Sequence, residues 1–483
     1  MGHISLYIVF LPVIAGIILL FFRSSLSKYL AFIIAIAEFL LSVWVLVEYN
    51  YTPGFSYCEN IPWLRNWGIN LEFGIDGISL LMMLLTGLSI PIIMLAGWDK
   101  HYHNYGLMHG MTLVLQGALM GVFLSLNAFV YYLFWEMALI PAYIILLLWG
   151  GENRMRVTLK FFIYTFAGSI FMLVGMMYLY KMTPGGHSFS HSAFSALKLP
   201  ADKQAWPFIA FMVAFMIKTP IFPFHTWQPE TYTQAPSAGT MLLGGLMSKM
   251  GLFSIIRWIF PIFALAVKNF APYFMWLAIG GLIYASVIAL RQKNLKTMFA
   301  YSSMAHVGMI AAALFTLNAL AVQGALFQMF SHGITIIALF FVADIFKIRT
   351  DSQLIGDFPG YKSQAPVFSA FYLVVLFASI GLPLTSGFVG EFLMITGLTG
   401  LQIWFGFAAG LSIILGAVYM LTSYKSIMLG ELKSELSVFA DLNIREIIVF
   451  TVLLAIIFTA GIFPSFFLKI SENSIVELLS VFK

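Results

Sequence analysis

Apolar segments long enough to cross a membrane follow one another along almost the whole of this 483-residue chain. A helix needs about 20 predominantly apolar residues to span ~30 Å of hydrocarbon. About fourteen stretches meet that demand, at roughly 4–22, 28–49, 76–97, 107–126, 128–149, 157–180, 206–232, 238–260, 271–290, 295–315, 318–346, 365–398, 402–428 and 445–468. Connections such as Leu126-Asn127 and Thr316-Leu317-Asn318 leave no room for a soluble domain between them. Residues 1–483 are therefore expected to form one all-α polytopic membrane domain, because a helix satisfies its own backbone where water is absent. The first segment lacks a Lys/Arg-rich start and a small-residue cleavage site, so it is expected to persist as the first helix.

Charge distribution sets the orientation. With both termini outside, fifteen Lys and Arg fall in inner loops and eight on the outer side, leaving only Lys218 and Lys249 of the 25 for the membrane interior. That asymmetry follows the positive-inside rule and accounts for most of the net charge of +5. It gives no support to nucleic-acid binding. Cys58 is the single cysteine, so this chain has no cysteine set for an iron–sulfur cluster. Neither GxxxxGK[ST] nor GxGxxG is present, and ATP hydrolysis and dinucleotide binding have no support. Energy for transport must come from a gradient or from a partner.

Four charges interrupt the apolar segments. Glu136, Lys218, Lys249 and Glu391 lie well inside helices five, seven, eight and twelve, in a chain only 9% charged. An ionised side chain at the bilayer centre costs several kcal/mol, so such residues pair, line a wet path or move protons. A structural role for each is the plainer alternative, and it is weakest for lysine, whose protonation shifts readily when it is buried. His225, His306 and His332 join them as proton-relay candidates, although a lone buried histidine is more often a packing residue. His187 and His191 fall in an outer loop and are expected to be solvated, and the pair His101/His103 lies in an inner loop. Glu38 is mid-helix in segment two, with no evident role.

Two of these helices are expected to be broken. Lys218 is followed by Thr219-Pro220-Ile221-Phe222-Pro223, and Glu391 is preceded by Gly381-Leu382-Pro383-Leu384-Thr385-Ser386-Gly387. Proline removes a helix hydrogen bond and clashes with the preceding turn. Breaks in corresponding halves point to a transporter's central site. Helices seven and twelve are five apart, so helices four to eight (roughly 107–260) and nine to thirteen (roughly 271–428) are read as two five-helix repeats. Five is odd, so the second copy enters the membrane inverted.

The strings FWEMALIPAY around Glu136, KTPIFPFHTWQPE with Lys218 and His225, QAPSAG, LMSKMG at Lys249, YSSMAHVGM at His306, FSHG at His332 and SGFVGEF at Glu391 occur in that order. Together with GIDGISLL before helix three, they resemble the antiporter-like subunits of respiratory complex I over essentially the whole chain. Sister branches and the Mrp cation/proton antiporters place a lysine where Glu391 stands, so the resemblance favours a complex I branch over a subunit of a multi-subunit Na+/H+ antiporter. It implies proton uptake at Lys218, modulated by Glu136, passage through Lys249, His306 and His332, and release by Glu391. It also implies a bacterial inner-membrane location, with sister antiporter-like subunits and the other membrane subunits of the complex as partners. No cofactor or metal is expected on this chain; NADH, FMN, iron–sulfur clusters and quinone belong to partner subunits. One departure stands out: the family's LPDAH reads Gln228-Pro229-Glu230-Thr231-Tyr232 here, so Tyr232 occupies a histidine position.

Overall fold

The computed structural model describes residues 3–185, 187–356, 359–431 and 439–482. Lys433 and Lys483, counted above for orientation, lie outside them. The helices are α1 (Ile4–Leu19), α2 (Leu26–Glu48), α3 (Gly77–Ala96), α4 (Tyr105–Leu124), α5 (Ala128–Trp149), α6 (Arg154–Met182), α7a (Ala201–Lys218) and α7b (Gln228–Gln234). After them come α8 (Ser237–Ile259), α9 (Ala264–Leu290), α10 (Leu295–Leu314), α11 (Ala319–Thr350), α12a (Pro366–Ser379), α12b (Ser386–Leu401), α13 (Ile403–Met428), α14 (Ile444–Ile462) and α15 (Pro464–Ser480). Eleven helices among the described residues are long and apolar enough to cross a membrane, and α1, α12a and α12b are shorter apolar helices.

Two elements add to the helical reading. Residues read as a loop between segments two and three form an antiparallel hairpin, β1 (Ser56–Leu64) and β2 (Ile69–Ile75), with Ile61 opposite Leu71 and the turn closed by Gly68 at positive φ. Beyond α14, α15 lies against α3 and α11 and ties to the start of α3 and the connection before it: Ser474 accepts from the Gly77 N–H, and Glu477 from the Gly54 N–H. Its Lys469, Glu472 and Glu477 break the apolar run, which is why hydropathy ends the last span near residue 468.

Helix starts follow the local sequence. Asn104, Asn127, Asn294, Asn318 and Asn443 each accept backbone N–H groups of the first turn, and Asp76 forms a capping box with Ser79. Such caps satisfy donors that would otherwise be orphaned at the membrane boundary.

Burial is graded across the bundle. The most apolar windows of α8 and α11 are 100% buried, whereas those of α2 and α6 are 28% and 39% buried. The peripheral helices present Ile33, Leu40, Ile163, Phe166 and Ile170 outward, surfaces suited to lipid or neighbouring subunits. The two innermost helices carry Lys249 and His332. Polar groups there cannot reach bulk water along a flexible stem, so their partners must come from the protein.

A charged line through the second half and a looser first half

Both expected breaks are present. α7a ends at Lys218 and the chain turns through Thr219–Trp227 before α7b. Carbonyls freed by the break find donors: the Trp227 indole donates to the Ile217 carbonyl (2.9 Å) and the Ile221 N–H to that of Met216 (2.9 Å). α12a stops at Ser379, and the chain resumes as α12b at Ser386. Here Gly381 has a φ of +69°, and a Cβ on it would fall 2.3 Å from the Glu391 carboxylate. Only glycine meets both demands.

Around Lys249 the contacts are dense. Its Nζ donates to the Gly244 carbonyl (2.7 Å) and Ser248 Oγ (3.2 Å), and lies 2.8 Å from His332 Nδ1. Three acceptors match the three protons of an ammonium. The Gly244 carbonyl is available because α8 departs from α-geometry: Leu243–Met247 and Ile255–Ile259 are π-helical turns on either side of Lys249. π-turns inside α-helices concentrate at functional sites.

From His332 the line continues. Its ring lies 5.4 Å from that of His306. A cavity of about 10 Å³ adjoins both, lined also by Ser302, Gln328, Ser331 and Thr335. That is the size one water requires, and polar atoms face it, since His332 Nε2, Gln328 Oε1 and Thr335 Oγ1 have no protein hydrogen-bond partner. His306 Nδ1 lies 2.9 Å from the Ser302 carbonyl, while Nε2 lies 3.1 Å from the Ser379 carbonyl freed by the α12 break and 3.2 Å from Glu391 Oε1. With acceptors at both ring nitrogens, the site suits an imidazolium paired with the carboxylate. A second cavity of about 10 Å³ adjoins Glu391 and His306 and is lined by Ser412 and Tyr419.

The first half is arranged differently. Lys218 is buried, and its ammonium lies 5.4 Å from the centre of the Trp135 ring. Glu136, one residue on, is half-buried, makes no ion pair within 4 Å with Lys218, and its Oε1 has no protein hydrogen-bond partner. Thr219 fills the space between α7a and α8. Its hydroxyl is buried without a partner and lies 2.0 Å from where a Cβ on Gly251 would be, two residues along from Lys249. Tyr232 is fully buried, with its ring edge-on to Phe340 and close to Gly244.

Several expectations change. The helix does not resume after Pro223, so His225 is not on the face of Lys218; it sits in the turn against the rings of Phe222 (5.6 Å) and Tyr284 (5.0 Å). His191 is half-buried instead of freely solvated: it packs on Trp258 and Phe55, lies 3.0 Å from the Arg257 carbonyl, and desolvation lowers its pKa to about 4. Nor are Lys218 and Lys249 the only buried lysine or arginine side chains. Arg257 forms a buried 2.6 Å ion pair with Asp76, and Lys296 is buried with its Nζ on the Ala235 carbonyl (2.5 Å). Lys296, Lys100 and Asp344 line a large vestibule of about 930 Å³, in which Lys100 pairs with Asp344 at 2.6 Å. Position at segment ends placed these residues in loops, and their partners lie far away in sequence. The one signal that could have pointed to the vestibule pair is Asp344, the only Asp, Glu, Lys or Arg in the segment up to Lys347.

Known proteins share this fold. The family described as NADH:quinone oxidoreductase/Mrp antiporter, transmembrane, matches residues 125–416. The chain is 37% identical to NADH-quinone oxidoreductase subunit M of Rickettsia prowazekii (strain Madrid E), covering 98% of both chains. A chain of respiratory complex I from Thermus thermophilus with bound NADH is 29% identical, with a TM-score of 0.92 over 99% of this chain and 100% of that one. A chain of the Mrp complex from Dietzia sp. DQ12-45-1b, 16% identical over the full length of both, shares the fold with a TM-score of 0.90.

Proposed function

Because the chain belongs to the NADH:quinone oxidoreductase/Mrp antiporter transmembrane family, we propose that it is the proton-translocating membrane subunit of a complex I-type NADH:quinone oxidoreductase, with both termini on the outer face of a bacterial cell membrane. The observation that carries this reading is the unbroken line Lys249–His332–His306–Glu391, joined by contacts of 2.8 and 3.2 Å and one cavity of about 10 Å³. No reaction centre is needed on the line itself. Redox chemistry with NADH, FMN, iron–sulfur clusters and quinone belongs to partner subunits, and this chain binds none of them.

Each step is a proton transfer. The Lys249 ammonium gives a proton to His332 Nδ1, and the His332 Nε2 proton passes through the cavity toward the His306 ring. That ring is free to take it up because the His306 imidazolium has first handed its Nε2 proton to the Glu391 carboxylate, which releases it outward. Reloading comes from Lys218, on the other side of Thr219, with Glu136 setting how strongly Lys218 holds its proton. Moving one charge against 100 mV costs about 2.3 kcal/mol, so each transfer must be biased by a neighbouring charge, and partner redox steps supply that bias. The breaks at Thr219–Trp227 and Ile380–Thr385, five helices apart, support reading α4–α8 and α9–α13 as inverted repeats. The vestibule cations Lys100, Lys296, Lys347, Arg349 and Arg445 support placing that face inside.

The test is NADH-driven proton pumping by the assembled complex in proteoliposomes. Lys249→Ala and Glu391→Gln should leave the complex assembled, with flavin and iron–sulfur partners still co-purifying, and cut pumping on the order of a hundredfold, as for loss of a positioned proton-transfer group. Undiminished pumping in both variants would remove the line from the path.

A further inference from the structure

A second polar set lies away from that line. Glu38, on α2, is fully buried, and neither carboxylate oxygen has a hydrogen-bond partner among the described residues. The other deeply buried acids are partnered: Asp76 by Arg257, Asp344 by Lys100, Glu446 by Arg349 and Glu391 by His306. An unpaired carboxylate so placed costs several kcal/mol, and a group there takes up a proton instead.

Gln116, on α4, is also fully buried, with neither amide atom bonded. α4 packs against α2. Both helices start beside Phe22: the α4 residue Gly106 abuts the Phe22 carbonyl, and α2 begins at Leu26. Glu38 and Gln116 then lie at nearly equal depth, about 18 and 17 Å along their helices at 1.5 Å per residue. His109, Thr112 and Gln116 follow at i, i+3 and i+7, one face of α4. At the foot of that face, the His109 ring lies 5.9 Å from Tyr102 and 6.5 Å from Tyr105, whose hydroxyl is 3.2 Å from His101 Nδ1. Tyr102 and His101 line the charged vestibule.

We infer that Glu38 is a proton-binding site with its own access to the vestibule along the His109–Thr112–Gln116 face of α4. The site stands apart from the Lys218–Glu391 line and needs only that the vestibule meets water, so its test fails or succeeds independently of pumping. The measurement is infrared spectroscopy of the assembled complex exchanged from H2O into D2O. In the native complex a protonated-carboxyl C=O band shifts on exchange. Glu38→Gln deletes that band, and Glu38→Asp moves it, which covers the case in which the glutamine variant does not assemble. Gln116→Leu keeps the band but slows its exchange at least tenfold, whereas Lys249→Ala leaves the exchange rate unchanged. A carboxyl region unaltered by both Glu38 variants would overturn the site, and native exchange rates in Gln116→Leu would overturn the α4 route.

Discussion

The two halves of the charged line use similar side chains in opposite ways. In the second half, Lys249 meets His332 and His306 meets Glu391 at hydrogen-bond distance, the two histidine rings lie 5.4 Å apart beside a one-water cavity, and Lys249 and His332 stand on the two most buried helices of the bundle. In the first half, Lys218 faces an indole, Glu136 stands off, and the Thr219 hydroxyl has no partner. On the proposed path, the second half presents partners within hydrogen-bond reach or across one cavity, whereas no hydrogen bond among the described residues of the first half joins Lys218 to α8. Both parts adjoin a helix break, but the α12 break brings Gly381 and the Ser379 carbonyl against Glu391 and His306, whereas the α7 turn leaves the Lys218 ammonium and the Thr219 hydroxyl without hydrogen-bond partners among the described residues.

The sharpest way to break this contrast is at Gly381. Gly381→Ala places a Cβ on the Glu391 carboxylate in a backbone region that disfavours alanine. It should abolish measurable pumping in the assembled complex, while alanine at Gly400, where nothing lies within 4 Å, leaves pumping intact. Next in size is a stability difference between the lysines. Interhelical hydrogen bonds in membranes average about 0.6 kcal/mol, so Lys249→Leu should lose about 2 kcal/mol along with its three acceptors. Lys218→Leu, which forfeits no hydrogen bond, should be neutral or stabilising. Thermal unfolding of the purified complex measures both, and equal losses would contradict the contrast. The smallest effect lies outside the line. Burial holds His191 neutral, with its pKa lowered from the ordinary 6.5 to about 4, so the unfolded chain binds its proton first as pH falls. Local stability around residues 187–200 is therefore full above pH 6.5 and declines as pH drops toward 4. Hydrogen exchange in that loop should rise over this window in the native protein and stay flat in His191→Phe.

Much of this was legible in the sequence because membrane burial makes each charge conspicuous. Glu136, Lys218, Lys249 and Glu391 stood out against apolar neighbours, and Pro220, Pro223 and Gly381 marked the breaks beside two of them. What stayed hidden depended on partners distant in the chain or on backbone geometry without a residue signature. Asp76 and Arg257 meet across the fold at a helix end, where either alone reads as a loop charge. His225 followed a proline that turned the chain instead of kinking it. In the hairpin, Ile69–Ile75 alternates strictly and was a legible strand signal, but its partner Ser56–Leu64 does not alternate, and the π-turns of α8 have no residue pattern of their own.

Those two turns have a consequence for how the chain can vary in length. Each π-turn holds one residue more than an α-helix would, and one extra residue rotates everything beyond it by about 100°. Deleting a single residue between Leu243 and Met247 would restore regular hydrogen bonding, yet swing the segment before it round relative to Lys249 and withdraw the Gly244 carbonyl. Substitutions in this stretch have many tolerable outcomes; a one-residue deletion has none that keeps both the helix seated and the ammonium bound. The residue count of α8 is therefore as tightly constrained as any of its side chains.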